Sequence, residues 1–291
     1  MIIAKIHYGL GNQLFQYSLA RRLAIQKNTD FSLCLGFFEE FKNEEHPRVY
    51  QLNHFNIIEN ILPEKKSNHY LKPGFLERRI RNMENLFLPY YKRKIVYEQQ
   101  LDFDENILKV KSNVFLSGYW QDERYFDPVK NVLKKELSFK TAPDRQNGQY
   151  LQMIRNSNAV SIHVRKGDYL TDPYTIEKVG GCDMAYYLQA VQQVAGKIPD
   201  AVFYIFSDDP VWVKENFHIG HPYIHVSHNS QASAYEDLRL MSQCSHHIIA
   251  NSSFSWWGAW LGFNENKIVI APKVWRKKGP GMFLPKGWTS I

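Results

Sequence analysis

From residue 159 onward the chain alternates short apolar runs with amphipathic stretches, and this alternation leaves few folds open. Runs near 159–165, 201–206, 222–226, 246–250 and 267–271 have the length of strands and are largely apolar on both sides, as strands covered on both faces are. Between them, Met184, Tyr187, Leu188, Val191 and Val194 recur at helical spacing behind Asp183, a residue type that caps helix N-termini. Tyr235, Leu238 and Met241 mark a second helix. Strands alternating with helices build a parallel, doubly wound sheet.

The first half is less regular. Residues 2–7 read as a strand, Tyr8–Asn12 as a glycine turn and Gln13–Lys27 as a helix. Further strands are expected at Phe31–Leu35 and Asn113–Tyr119, and helices at Leu76–Phe87 and Asp122–Leu137. The stretch Thr141–Gly148 is polar and contains Pro143. It sets the expected domain boundary, giving residues 1–145 and 146–291. At 291 residues the chain is long enough for two domains.

Three strand ends in the second half carry polar clusters. At the first, alternation with Val160, Ile162 and Val164 puts His163 and Arg165 on one side. Gly167 then breaks the strand and Asp168 follows. The second end is Ser207-Asp208-Asp209, followed by Pro210. The third is Asn251-Ser252-Ser253-Phe254-Ser255, where Ser252 or Ser253 would cap the next helix. In a parallel sheet these ends lie along one edge, where open α/β sheets bind ligands. Arg165 offers the planar fork of donors that suits phosphate. Asp208 and Asp209 fit either recognition of a base or ribose, the preferred reading, or Mg²⁺ bridging a diphosphate. Each piece alone is also what an ordinary strand end or helix cap looks like. The Trp256, Trp257 and Trp260 stripe is expected to be core. In the first half, Gly9 and Gly11 would let the backbone approach an anion, with Asn12 and Gln13 beside them. Leu14 stands where a dinucleotide fingerprint needs its third glycine, which disfavours a NAD enzyme.

Charge and cysteine usage exclude other classes. The net charge is +7, and the densest basic patches are Glu77–Arg81 and Lys92–Lys94. That balance suits an anionic small ligand, a nucleic acid or an acidic membrane surface, and selects none of them. Cys34, Cys182 and Cys244 have neither disulfide-framework nor zinc spacing. The N-terminus turns polar too quickly for a secretory leader, and no apolar run is long enough to span a bilayer. A cytoplasmic protein, peripheral at most to the inner membrane surface, is expected.

Together, Tyr8–Tyr17, Gly118–Gln121, His163–Tyr169, Ser207–Asp209 and Asn251–Leu261 resemble the bacterial α-1,2-fucosyltransferases, which are related to the α-1,6- and protein O-fucosyltransferases. The resemblance spans nearly the whole chain. It implies two Rossmann-like domains facing a cleft, the GT-B arrangement, with an acceptor-side N-terminal domain and a GDP-sugar-binding C-terminal domain. It implies transfer of L-fucose from GDP-β-L-fucose, with inversion, to the 2-hydroxyl of a terminal β-galactoside; the alternatives are an inverting transferase of the same fold using another nucleotide sugar, or a non-catalytic nucleotide- or sugar-binding protein. GDP-fucose is a substrate; neither cofactor nor metal nor nucleic acid is implied. Arg165 would grip the diphosphate and His163 would lie near the nucleotide. Lys166 stands where many relatives have a second Arg. Gly9, Gly11, Asn12, Gln13, Ser207, Asp208, Asp209, Asn251, Ser252, Ser253 and Phe254 complete the expected donor contacts, with Asn12 also able to hold acceptor. Asp168 is the candidate general base, with Asp172 and Glu177 as alternatives.

Overall fold

The computed structural model describes residues 1–43, 47–167, 177, 179–277 and 282–291. They form two compact units, Met1–Lys140 and Thr141–Ile291.

Unit 1 is built on four parallel strands: β1 (Ile2–Lys5), β2 (Phe31–Cys34), β3 (Ile95–Tyr97) and β4 (Val114–Ser117), in the order β2-β1-β4-β3. Its helices are α1 (Leu10–Gln26), α2 (Gly36–Glu40), α3 (Glu64–Leu71), α4 (Phe75–Phe87) and α5 (Lys130–Glu136). Leu14, Phe15, Leu19 and Leu23 of α1 are fully buried. Glu136 ties α5 to α1 by accepting from Tyr17 Oη at 2.6 Å and pairing with Arg21 at 2.8 Å.

Two expectations for this unit are corrected. Helix α1 starts at Leu10, so Gly11, Asn12 and Gln13 lie in its first turn. The left-handed residue of the preceding turn is Tyr8 (φ 63°), not a glycine. The helix expected over 122–137 is α-helical only from Lys130. Asp122 caps one short 3₁₀ turn by accepting from the Arg124 amide, and another, Asp127–Val129, carries Pro128 as its second residue.

Unit 2 begins with α6 (Arg145–Arg155) and β5 (Asn158–Val164), then α7 (Met184–Ala195), β6 (Ala201–Ser207), α8 (Pro210–Asn216) and β7 (Tyr223–Val226). It continues with α9 (Ala234–Gln243), β8 (His246–Ile248), α10 (Ser253–Leu261), β9 (Val269–Ala271) and β10 (Thr289–Ser290). The sheet is wholly parallel, in the order β10-β9-β8-β5-β6-β7. Alternation along the strands separates its two faces. Val160, Ile162 and Val164 pack with Tyr187, Val191 and Val194 of α7. Ala159, Tyr204 and Phe206 pack with Leu151 and Ile154 of α6 and Leu240 and Met241 of α9. Trp256 and Trp257 are fully buried and Trp260 nearly so, as a tryptophan stripe at helical spacing should be. Gly258 lets α10 approach α9, because a Cβ there would lie 2.8 Å from Met241 Cε.

The division falls at Lys140/Thr141 rather than 145/146. Asp144 accepts from the Asn147 amide at 2.8 Å and so caps α6. The Thr141 carbonyl accepts from the buried Arg239 of α9 at 2.9 Å. These hydrogen bonds tie the polar stretch expected as a boundary to unit 2.

Candidate active site

The sheet of unit 2 has one topological switch point. The chain runs outward from β5 to β6 and β7, then returns to the other side of β5 as β8 and β9. Connections leaving the carboxyl ends of β5 and β8 diverge there, opening the crevice where such sheets bind ligands. Two of the three polar strand ends, after β5 and after β8, flank this crevice directly. The third follows β6, whose Ser207 pairs in register with Val164 of β5.

At the end of β5, Arg165 Nη1 lies 3.0 Å from Asp208 Oδ2, with the two side chains 19% and 22% exposed. Asp208 Oδ1 accepts from the Lys166 amide at 2.8 Å. Gly167 closes over the same carboxylate, since a Cβ there would sit 2.4 Å from Asp208 Oδ2. Asp208 thus fixes the turn after β5 as well as its guanidinium. Lys166 Nζ lies over the Trp212 ring, 3.8 Å from its centroid.

His163 is buried. Burial, helped by the positive charge of Arg165, lowers its pKa to about 3. The ring is therefore neutral at physiological pH. Its Nδ1 has no hydrogen-bond partner among the described residues, although a buried polar atom ordinarily has one. The ring centroid lies 5.5 Å from that of Phe254 in the first turn of α10. The strand end after β5 therefore meets the helix start after β8.

Several expected ligand contacts have structural duties. Asp209 caps α8, accepting from the Trp212 amide at 3.0 Å. Ser207 Oγ accepts from the Asp209 amide at 3.0 Å. Ser252 caps α10, accepting from the Phe254 amide at 3.3 Å. Asn251 is buried and donates to the Gly180 and Trp275 carbonyls at 2.7 and 3.2 Å, so it holds neighbouring loops. Ser253 and Phe254 are partly exposed in the first turn of α10. Asp168 and Asp172 lie outside the described residues; Glu177 is exposed.

The glycine turn lies in the other unit, and it too ends at a switch point, between β1 and β4. Gly9 caps α1, with the Asn12 and Gln13 amides donating to its carbonyl at 2.9 and 3.2 Å. Asn12 Oδ1 accepts from Gln121 Nε2 at 2.7 Å across the two strand ends. Gln13 is buried, and its amide joins the backbone at Tyr8, Val49 and Gln51. Its side-chain oxygen and nitrogen thus hold the turn.

Sequence reasoning missed three positioning residues. Glu98, just after β3, accepts from the Tyr119 and Trp120 amides, each at 2.8 Å, and so shapes the turn after β4. His7 is buried beside Gln16 and stacked on Tyr119 at 5.1 Å; burial lowers its pKa to about 4, with help from Lys5. Tyr187 donates to the His163 carbonyl at 3.0 Å and anchors the end of β5 from α7. Its helical spacing was the only available signal, and that reads as core.

Residues 1–280 match the profile of glycosyl transferase family 11. The chain belongs to this family. It is therefore a glycosyltransferase. Among similar family 11-like proteins, it is 35% identical over 288 residues to the O-antigen biosynthesis glycosyltransferase WbnK of Escherichia coli, covering 92% of each chain. It is 32% identical over 280 residues to an alpha-1,2-colitosyltransferase of the same organism, covering 94% of this chain and 92% of that one. The fold is shared with the fucosyltransferase NodZ from Bradyrhizobium, with a TM-score of 0.51 at 13% identity over 88% of this chain and 90% of that one. Among the described residues, no helix is long and apolar enough to cross a membrane.

Proposed function

We infer that this glycosyltransferase moves L-fucose from GDP-β-L-fucose to the 2-hydroxyl of a terminal β-galactoside, with inversion. The observation that carries this reading is the cation at the unit 2 switch point, Arg165, held by Asp208, on the strand end whose His163 meets Phe254 at the start of α10. In such a transfer the acceptor oxygen bonds to the anomeric carbon as the bond to the diphosphate breaks, and negative charge grows on the departing GDP. A guanidinium fixed before the reaction, with helix amides beside it, stabilises that charge without reorganising. Neutral His163 offers a buried nitrogen, without a partner among the described residues, to a donor group on the nucleotide. With its pKa near 3 it is a poor base at neutral pH. The acceptor proton is therefore assigned to Asp168, the nearest carboxylate along the chain.

The proposed reaction requires no metal. Asp208 is engaged with Arg165 and Lys166, and Asp209 with the Trp212 amide. The adjacent carboxylates thus support the guanidinium and a helix cap rather than a shared cation. A second reading, favoured by the similarity to the colitosyltransferase, keeps the site and linkage and changes the donor to GDP-colitose, whose sugar is fucose lacking one hydroxyl. Incubating the protein with GDP-fucose, GDP-colitose, other GDP-sugars and UDP-sugars, with lactose as acceptor, separates the readings. GDP release and a new α-1,2 linkage from GDP-fucose support the first. Turnover confined to another donor refutes it.

A further inference from the structure

Helix α4 is built inside out. A surface helix ordinarily turns its apolar face to the core and its charges to water. Here Leu76, Ile80, Met83 and Phe87 follow the i, i+4, i+7, i+11 spacing of one face, flanked by Phe75 and Leu86, and all six are exposed. Phe75, Leu76, Leu86 and Phe87 each keep 70–79% of their surface open. The inward stripe is Glu77, Arg81, Glu84 and Leu88, all partly buried. Arg81 donates to the Tyr70 and His69 carbonyls at 3.0 and 2.8 Å, and Glu84 accepts from the Lys94 amide at 3.2 Å. These bonds fix the helix with its apolar face outward. Such a contiguous apolar face marks an interaction site.

Charge identifies the occupant. Residues 64–94 contain nine Lys and Arg against three Glu, a net of +6 where the whole chain carries +7. Lys65, Lys66, Lys72, Arg78, Arg79, Lys92 and Lys94 are exposed around the helix. Arg79 stands within the apolar arc, its guanidinium 5.9 Å from the Phe75 ring centroid, where a long cationic side chain can keep its head at the polar boundary. An apolar stripe with a basic rim fits an anionic bilayer surface, which takes the stripe below its headgroups and pairs the rim with its phosphates. Two copies meeting through this face would bring two strongly basic rims together, which is unfavourable. We propose that α4 seats this glycosyltransferase on an anionic membrane surface. This names a surface for the peripheral contact and does not depend on which sugar is transferred.

The test is co-sedimentation of the full chain with phosphatidylcholine vesicles, with and without phosphatidylglycerol, at low and high salt. Binding is expected only with the anionic lipid and should weaken with salt. Leu76→Glu/Ile80→Glu/Leu86→Glu should reduce it at least about tenfold, and Arg79→Gln by roughly fivefold. Circular dichroism and transfer to a soluble acceptor should be unchanged in both variants, since these side chains point away from the unit's core. No binding by the native chain, or equal binding by the triple variant, overturns the proposal. So does a dimer, or capture of an acidic protein, that the triple substitution abolishes while vesicle binding persists.

Discussion

Arg165 Nη1 lies 3.0 Å from Asp208 Oδ2, so an ion pair joins the end of β5 to the end of β6. The same carboxylate receives the Lys166 amide. One acid therefore sets both the position of the guanidinium and the turn that carries it. Removing the guanidinium and removing its support should have unequal and coupled effects. Arg165→Ala should lower kcat by at least about a hundredfold. Asp208→Asn can still accept from the Lys166 amide and should cost about tenfold. The double variant should fall close to Arg165→Ala, with a coupling of about 1–2 kcal/mol in a double-mutant cycle. Strict additivity would separate Asp208 from the action of Arg165.

Gly167 is required by space rather than by backbone conformation. A methyl group there would displace the Asp208 carboxylate. Gly167→Ala should reduce kcat about as much as Asp208→Asn while shifting the Tm little. Full activity in this variant would mean that the carboxylate moves without consequence.

His163 makes stability depend on pH in a defined direction. Its folded pKa, about 3, lies below the unfolded value of 6.5. The unfolded chain therefore binds the extra proton between those values, and stability is lost as pH falls from about 6.5 toward 3. In His163→Gln this loss is absent. Denaturant unfolding at pH 7.5 and pH 5 should show the native chain's advantage over the variant shrinking by about 2 kcal/mol at the lower pH. An advantage that grows at pH 5 would show that His163 is protonated in the fold.

Glu98 caps the turn after β4, where Trp120 is held buried at φ 50°. Left-handed backbone at a bulky residue persists only where its surroundings enforce it. Glu98→Ala should lower unfolding free energy by about 1–3 kcal/mol, because two amides lose their acceptor. A change below about 0.5 kcal/mol would mean that water replaces the carboxylate there.

Metal dependence tests the roles given to the adjacent carboxylates. Turnover should persist in EDTA and rise little with Mg²⁺ or Mn²⁺. Complete loss in EDTA, restored by either ion, would return Asp208 and Asp209 to the role of metal ligands.

The second unit was far more legible in sequence than the first. Its strands are buried on both faces and read as apolar runs, and Asp183 and Ser252 announce helix starts that the structure has. Local signals of that kind survive folding. The missed residues depend on contacts between distant segments. Glu98 has its role only because β3 pairs with β4, and three residues between Lys92–Lys94 and the polar run Glu98–Gln100 give little sign of a strand. Tyr187 shows helical spacing, which conceals a hydroxyl aimed at the His163 carbonyl. Gln13 stands out in sequence as a polar residue beside two glycines, which does not show that its amide holds the turn. Helix α4 was expected near its observed place, yet the orientation of its apolar face depends on backbone carbonyls reached through Arg81. For the strand ends, a parallel sheet already implies one shared edge, and the strand order is what the structure adds. The order β8-β5-β6 turns three ordinary polar turns into neighbours along one edge.

The most direct test of the functional account is the product formed from GDP-fucose and lactose by the native chain and by Arg165→Ala, analysed by NMR. The account predicts α-L-fucose on the galactose 2-hydroxyl for the native chain and at least about a hundredfold less of it for the variant. Near-native turnover by Arg165→Ala, or no transfer from GDP-fucose by the native chain, would contradict it.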